Sequence, residues 1–512
     1  KNTTRNSNAA YGLYAMGNNT TASYSCAFGN FSLYHNTTGV NNCAFGFNSL
    51  LNSSTANNNS GFGFKTLYNN SGNSNTAFGS NSLYNNTTSN YNTAVGDSSL
   101  FSNTTGEGNA AIGYESLNSN TTGIGNSGIG TLSLYQNTTG SANTATGFSS
   151  MLFNSTGSNN TASGNNSLSS NTTGNNNAAF GYKSSNNNTT ASGISAFGSN
   201  SLYSNTIGTQ NTAMGYNSLY TNTTGNYNTA QGTNSLYNNT TGSYNSAIGS
   251  NALIANTTGT SNTATGVDAM LANTTGGNCT ANGVNALYAN TTGNNHTAIG
   301  VYALYSNTTG DGNTGVGYGS LYSNTGGFYN TAIGHYAASG MDGLINTVAI
   351  GAGAIVTATN QARIGNANTN SIGGQVSWTT VSDRRFKTDI QETIPGLAFV
   401  MKLRPVTYHI DKAAMKSYLK SRMPDFDSNS NSILQTGFIA QEVEQAAKES
   451  NYDFSGVDKP KNENDFYGLR YAEFVVPMVK AMQEQQKIIE DQKAKIDSLE
   501  KRLQLIEEKL SK

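Results

Sequence analysis

Apolar residues over most of the chain recur at fixed offsets from a glycine. Twenty-one glycines, from Gly12, Gly29, Gly46 and Gly63 to Gly334 and Gly351, fall in one register. Every interval is 17 residues except the 16 between Gly63 and Gly79. Four residues after the glycine stands an apolar side chain, usually leucine (Leu33, Leu50, Leu67, Leu83, Leu100, Leu202, Leu219, Leu236, Leu304). Two before it stands alanine (Ala77, Ala94, Ala213, Ala230), and one before it Phe, Val or Ile, which gives way to Thr146, Gln231 or Asn282. The consensus Asn-Thr-Ala-x-Gly-x-x-Ser-Leu-Tyr-x-Asn-Thr-Thr-Gly-x-x is nearly intact over 211–227 and 228–244. Such a period is too short for a helical-hairpin repeat and suits one coil of a parallel β-solenoid. The leucine and alanine are expected inside the coil, stacked on their equivalents. The residue before the glycine is expected to be partly buried, against a neighbouring chain. Gly and Asn supply the turns, because they tolerate left-handed backbone. With strands about 4.8 Å apart, the coils would build a rod on the order of 100 Å long. So thin an interior gains from the lateral association of three chains.

A second periodicity ends the chain. Val475, Met478, Met482, Gln485, Ile489, Gln492, Ile496, Leu499, Leu503, Ile506 and Leu510 alternate spacings of three and four. That is the heptad pattern of a left-handed coiled coil. Met482, Ile489, Ile496, Leu499, Leu503 and Ile506 form its expected core, and Gln485 and Gln492 would fix register. So long an apolar seam requires partner helices.

Charge separates the two patterns. Residues 1–381 hold five Lys/Arg and six Asp/Glu, whereas 382–512 hold 21 of each. The break marks a domain boundary, giving a repeat solenoid over 1–360, a neck over 361–381, a small charged domain over 382–473 and a coiled coil over 474–512. The formal net charge of −1 gives no electrostatic case for nucleic acid or an anionic membrane. No run of about 18 apolar residues encodes a membrane span. The Asn/Gly/Ser/Thr bias would suit a disordered linker, but the strict apolar register argues against disorder.

Chemistry within the repeat is sparse. Tyrosines five after the glycine (Tyr34, Tyr68, Tyr84, Tyr203, Tyr220, Tyr237, Tyr288, Tyr305, Tyr322) form a ladder suited to stacking on sugar rings. Stacking on one another, or filling a groove between chains, is the preferred account. Asn-x-Ser/Thr sequons make Asn36, Asn86, Asn103, Asn222, Asn239 and Asn256 candidate glycosylation sites. A turn whose Asn and Thr side chains bond to backbone and to the next coil explains the same residues and carries more weight. Cys26 and Cys43 occupy equivalent places in adjacent coils, within reach of a disulfide. The Gly123–Gly128 run matches a dinucleotide fingerprint but lacks the helix that would follow it. His35, His296 and His335 are scattered, so no metal site and no cofactor are expected.

The candidate reactive pair lies at the junction. In Val381-Ser382-Asp383-Arg384-Arg385-Phe386-Lys387, a serine precedes a lysine by five residues. A serine hydroxyl needs an adjacent base, and a neutral lysine can serve once burial or nearby positive charge lowers its pKa. Arg384 and Arg385 are the expected source of that charge. A serine that caps the next turn, beside a solvated lysine, is the plainer reading of the pair alone.

Further blocks follow: Leu403-Arg404-Pro405-Val406-Thr407-Tyr408, Gly437-Phe438-Ile439-Ala440-Gln441-Glu442-Val443 and Tyr467-Gly468-Leu469-Arg470-Tyr471. Together with the junction and the terminal heptads, they resemble the endosialidase-type intramolecular chaperone domain that ends many phage tail spikes and fibres. The resemblance implies a homotrimerising domain that guides folding of the β-rich part and is released by cleavage of Val381–Ser382. Ser382 would be the nucleophile and Lys387 its partner. The repeats, notably Asn346-Thr347-Val348-Ala349-Ile350-Gly351, resemble the heads of trimeric autotransporter adhesins, which implies a left-handed β-roll and a trimer.

The fold expected is therefore mainly β: a parallel β-solenoid of 17-residue coils, then a small α+β chaperone domain with a C-terminal coiled coil. The function expected is a trimeric attachment fibre, extracellular, on a cell surface or on a virion, with a cell-surface glycan or protein as receptor. Its only catalysis would be one autoproteolytic turnover. A structural filament with an uncleaved C-terminal trimerisation cap is the competing reading.

Overall fold

The structure, a computed structural model, describes residues 7–376, 378–419 and 433–511. The chain divides into two compact units between His335 and Tyr336.

The first unit carries three-residue strands, β1 (Ala9–Tyr11) to β20 (Thr331–Ile333), each parallel to the next. Pairing keeps the repeat in register, with Thr212, Ala213 and Met214 opposite Thr229, Ala230 and Gln231. The short coil from Gly63 to Gly79 leaves this register intact, since Gly61 still faces Ala77. Its missing residue comes out of the turn, where Asn70-Ser71-Gly72 replaces Asn-Thr-Thr-Gly. Backbone bonding between coils also extends beyond the strands: Leu219 N–H reaches Ser235 O at 2.9 Å and Thr223 N–H reaches Thr240 O at 2.9 Å.

Leucine and alanine fill the interior as expected, fully buried from Ala27 and Leu33 onward. The leucines reach it through left-handed backbone, φ being 48° at Leu33, 49° at Leu219 and 53° at Leu304. That conformation costs an L-residue roughly 1–2 kcal/mol. Burying the side chain returns about 1.5–3 kcal/mol. The register glycine answers a harder constraint. Gly232 has φ +131°, and a Cβ there would stand 2.5 Å from the carbonyl oxygen of Gly249 in the next coil. Only glycine meets both the dihedral and the approach.

Asparagine takes much of the rest of the interior, beside a buried serine three residues after the glycine. Seven residues after the glycine, Asn222 donates from Nδ2 to Asn205 Oδ1 of the preceding coil (2.7 Å) and to Gly225 O of its own (3.0 Å). Asn239 donates to Asn222 Oδ1 at 2.8 Å, and the ladder continues through Asn256, Asn273 and Asn290. A second ladder runs thirteen residues after the glycine. There Asn211 Oδ1 accepts Asn228 N–H (2.9 Å), and Asn211 Nδ2 donates to Gly225 O (2.7 Å). Buried polar groups are tolerable when paired in this way.

Two stripes mark the surface. The tyrosines stack on one another, with ring centroids 5.1 Å apart for Tyr203–Tyr220 and Tyr220–Tyr237. The residue before the register glycine is more open than its hydrophobicity suggested: Phe78 is 41% exposed, and Ile112 and Ile299 are also exposed. Within one chain its cover comes from its neighbours along the stack, as in Phe45–Phe62 at 4.8 Å.

In the second unit, β21 (Val348–Ile350) and β22 (Ala362–Ile364) pair in parallel at a 14-residue step, with Ala349 opposite Arg363. Strand stacking thus continues to Ile364, into the segment read as neck. Trp378, further along that segment, is exposed in the single chain. The α+β region follows, with α1 (Leu397–Val400), β23 (Val406–Tyr408), α2 (Lys412–Tyr418), β24 (Gln435–Gly437), α3 (Ala440–Glu449), β25 (Val457–Asp458) and β26 (Gly468–Leu469). Phe399, Val443, Ala446, Ala447, Phe454 and Phe474 form its core. Helix α4 (Val475–Leu510) closes the chain and tethers α1, since Glu484 Oε2 accepts Leu397 N–H at 2.7 Å.

Candidate functional site

Residues 383–387 form a single tight turn. Asp383 caps it by accepting Arg385 N–H at 2.9 Å, and Lys387 N–H returns to Arg384 O at 3.1 Å. The turn folds Lys387 back over the chain, so that its Nζ donates to Ser382 Oγ at 2.7 Å. The serine and lysine paired from their spacing are therefore in direct contact.

The electrostatic expectation is corrected for Arg385. Arg385 does not face Lys387 as a free cation, because Asp383 takes its guanidinium through Nε at 3.0 Å and Nη2 at 2.6 Å. The Arg385 side chain, followed by its backbone N–H, holds the Asp383 carboxyl below its ordinary value. The pair is largely exposed and contributes little to stability. Ser382 and Lys387 are also exposed, and Val381 is 81% exposed. The Val381–Ser382 bond thus lies on an exposed stretch of the single chain.

The separated sequence blocks meet in space. Arg404 of the first contacts Glu442 of the second, through Nη2 at 2.5 Å and Nε at 3.0 Å. The Arg404 side chain is the main influence holding the Glu442 carboxyl below its ordinary value. Tyr471 of the third block accepts Phe438 N–H on its hydroxyl at 3.1 Å. Its hydroxyl would lie 2.1 Å from a Cβ on Gly437, so a larger residue there would have to displace the Tyr471 side chain. Tyr467 donates to Glu444 Oε2 at 2.9 Å. These residues brace the region and stand apart from the serine in sequence.

The heptad residues occupy one uninterrupted helix, α4, whose seam is open: Met482 is 70% exposed and Ile489 49%, with Ile496, Leu499, Leu503 and Ile506 similarly exposed. The sequon asparagines Asn36, Asn86, Asn103, Asn222, Asn239 and Asn256 are fully buried. Their Nδ2, the atom a glycan would occupy, donates inside the coil, as in Asn256 to Asn239 Oδ1 and Gly259 O. Cys26 and Cys43 face each other in register as free thiols. Burial, and secondarily Cys26, raises the pKa of Cys43.

Sequence reasoning missed a cluster around Asp465, which binds Thr357 and Gln361 more than a hundred residues earlier. No local pattern announces such a pairing. Among the described residues no cluster of His, Cys, Asp or Glu has metal-site geometry, and no helix is long and apolar enough to cross a membrane. No curated protein matches the chain. Residues 382–452, beginning at the serine of the pair, match the family model described as chaperone of endosialidase.

Proposed function

We propose that the chain is the subunit of a trimeric attachment fibre, carried outside the cell on a surface or a virion. Its C-terminal region would gather three chains, direct their assembly and then cut itself off before Ser382. The observation that carries this reading is the 2.7 Å contact between Lys387 Nζ and Ser382 Oγ, at the first residue of the family match. The open heptad seam of α4 supports trimerisation, since an apolar stripe of that length is stable only when covered. Gathering the chains first also has a purpose: near-identical coils can pair one repeat out of register with little penalty, and long-range β assembly is slow.

The chemistry follows from the pair. With Lys387 neutral, Ser382 Oγ attacks the carbonyl carbon of Val381 while its proton passes to Nζ. The C–N bond breaks as the Ser382 nitrogen leaves with a proton, and an ester joins Val381 to Ser382 Oγ. Water opens the ester, leaving a Val381 carboxylate and a free serine N-terminus. One turnover per chain is sufficient. The buried leucine, alanine and asparagine ladders would keep the processed fibre in place kinetically.

A second reading, a filament whose C-terminal cap stays attached, draws on the exposure of the pair and on the capture of Arg385 by Asp383. Denaturing gels of wild type beside Ser382→Ala and Lys387→Ala separate the two. The fibre reading expects a 382–512 fragment in wild type and none in either variant, whereas an intact wild-type chain supports the permanent cap. Deleting 382–512 should abolish soluble trimers, and their recovery would remove the chaperone role.

A further inference from the structure

We propose that a side-chain clasp centred on Asp465 joins the α+β region to the coil that ends at β22, and that this clasp keeps residues 382–512 attached after Val381–Ser382 is cut. The inference rests on the scission proposed above, and it deepens that reading by separating cutting from release.

Asp465 lies in the loop between β25 and β26, and it is 5% exposed. Its Oδ1 accepts the Thr357 hydroxyl at 2.5 Å and Gln361 Nε2 at 3.3 Å. Its Oδ2 accepts Lys461 N–H at 3.1 Å and Gln361 Nε2 at 3.4 Å. Gln361 Oε1 turns back to accept the N–H groups of Thr357 and Ala358, at 2.9 Å and 3.1 Å. The carboxylate therefore reads a coil whose 357–361 turn is already closed. Asn462 adds a bond from Nδ2 to Thr357 O at 2.8 Å. The Arg363 guanidinium on β22 lies 5.3 Å from the centre of the Phe466 ring.

The surroundings suit an ionised acceptor. The nearest charged residues in sequence are Lys461 and Glu463 on the loop, and Arg363 stands on the coil over the Phe466 ring. Tyr418 donates its hydroxyl to the carbonyls of Glu463 and Asp465, which fixes the loop from α2. Burial alone would raise the Asp465 pKa. The hydrogen bonds from Thr357, Lys461 N–H, Gln361 and Phe466 N–H outweigh it and hold the pKa below the ordinary value.

The position of the cut gives the clasp its meaning. Thr357, Gln361 and Arg363 would belong to the fibre fragment, and Asn462, Asp465 and Phe466 to the released one. Between the two lies a segment, residues 368–376 and 378–382, that is exposed and supplies none of these bonds. Breaking Val381–Ser382 removes no bond of the clasp. It converts an intramolecular contact into an interface between two polypeptides, so departure of the chaperone becomes a separate dissociation step.

The experiment is size exclusion of the full-length protein under native conditions, followed by denaturing gels of each fraction. The clasp requires that the 382–512 fragment co-elute with the fibre in wild type. Asp465→Ala should lower the retained fraction by about tenfold to a hundredfold, as expected for losing hydrogen bonds to a charged group. Thr357→Val, placed on the fibre side, should also release the fragment and answers any folding defect of the α+β region. Separation of the fragments in wild type, or unchanged retention in both variants, overturns the clasp. An uncut wild-type chain refutes the scission instead. A specific protease site placed at Gly373–Gly374 in the exposed segment then provides the cut, and the same retention measurement decides the clasp.

Discussion

Replacing Asn222 by alanine tests the polar half of the solenoid core at a position where the sequence also offers a glycan site. The native amide makes three buried hydrogen bonds: to Asn205 Oδ1, to Gly225 O, and from Asn239 Nδ2. Each net bond is worth about 1 kcal/mol, and a buried group left without a partner costs about 1–3 kcal/mol more. The consequences differ by partner. Gly225 O keeps Asn211 Nδ2, and Asn239 keeps Gly242 O. Asn205 Oδ1 loses the donor that Asn222 supplied. The sum is about 4–6 kcal/mol, felt locally because each coil touches only its neighbours. Native-state hydrogen exchange of amides over 205–239 is the direct assay, and protection should fall by roughly three to four powers of ten. Asn222→Asp should be worse at neutral pH, because an acceptor-only carboxylate would face two acceptors in a buried place. Acceleration below about threefold in the alanine variant would refute the ladder as a stabilising element.

Four further outcomes follow from particular contacts. Ser53 stands where other coils carry the ladder asparagine, and both Asn36 Oδ1 and Ser53 Oγ are left without partners. Ser53→Asn, with Ala56→Gly to make room, should stabilise that coil by about 1 kcal/mol and slow exchange near Asn36 about fivefold. His296 replaces a ladder asparagine, accepting Asn313 N–H on Nδ1 and donating from Nε2 to Gly310 O. Burial, against the raising effects of Gly310, Asp311 and Asn313, lowers its pKa from 6.5. The unfolded chain therefore binds the proton first. Stability is full above the ordinary value and falls as pH drops below it towards the lowered folded value. His296→Asn should remove that dependence in thermal melts taken between about pH 7.5 and about pH 5. Ile489→Asp with Ile496→Asp should abolish oligomers in sedimentation, whereas unchanged oligomers would place the chain contacts elsewhere. The mass of the repeat-bearing polypeptide, cut or uncut, should equal that of the bare polypeptide, since the sequon amides are occupied inside the coil.

The period and the inward positions could be read from the sequence because leucine and alanine behave ordinarily there. The asparagine bonds to backbone and to the adjacent coil were also expected; its complete burial was not, because asparagine usually marks turns and solvent. The left-handed leucines were equally hidden. Intrinsic preference opposes that conformation at Leu219, and only the closed geometry of the coil imposes it. The junction pair was legible from spacing and neighbouring blocks. Its electrostatics were not, because the sequence shows Arg385 next to Asp383 without showing which way the guanidinium turns. Arg404–Glu442 and Thr357–Asp465 join residues 38 and 108 positions apart, beyond any local pattern.

The Ser53 gap shows that the asparagine ladder has a direction. Each amide hands its hydrogen towards the N-terminus and receives one from the C-terminal side, so its small dipoles point one way along the stack and reinforce one another. A missing rung is therefore felt unequally. Asn36, before the gap, is left with a bare oxygen, while Asn70, after it, still gives its hydrogen to Gly72 O. The two faces of any broken stack are chemically unlike. Within the ladder, the face that looks towards the C-terminus carries unmet acceptors, while the amides of the opposite face keep a bond to their own coil. The backbone leaves unmet groups on both faces, so it is the asparagine interior that most distinguishes one end of a broken stack from the other.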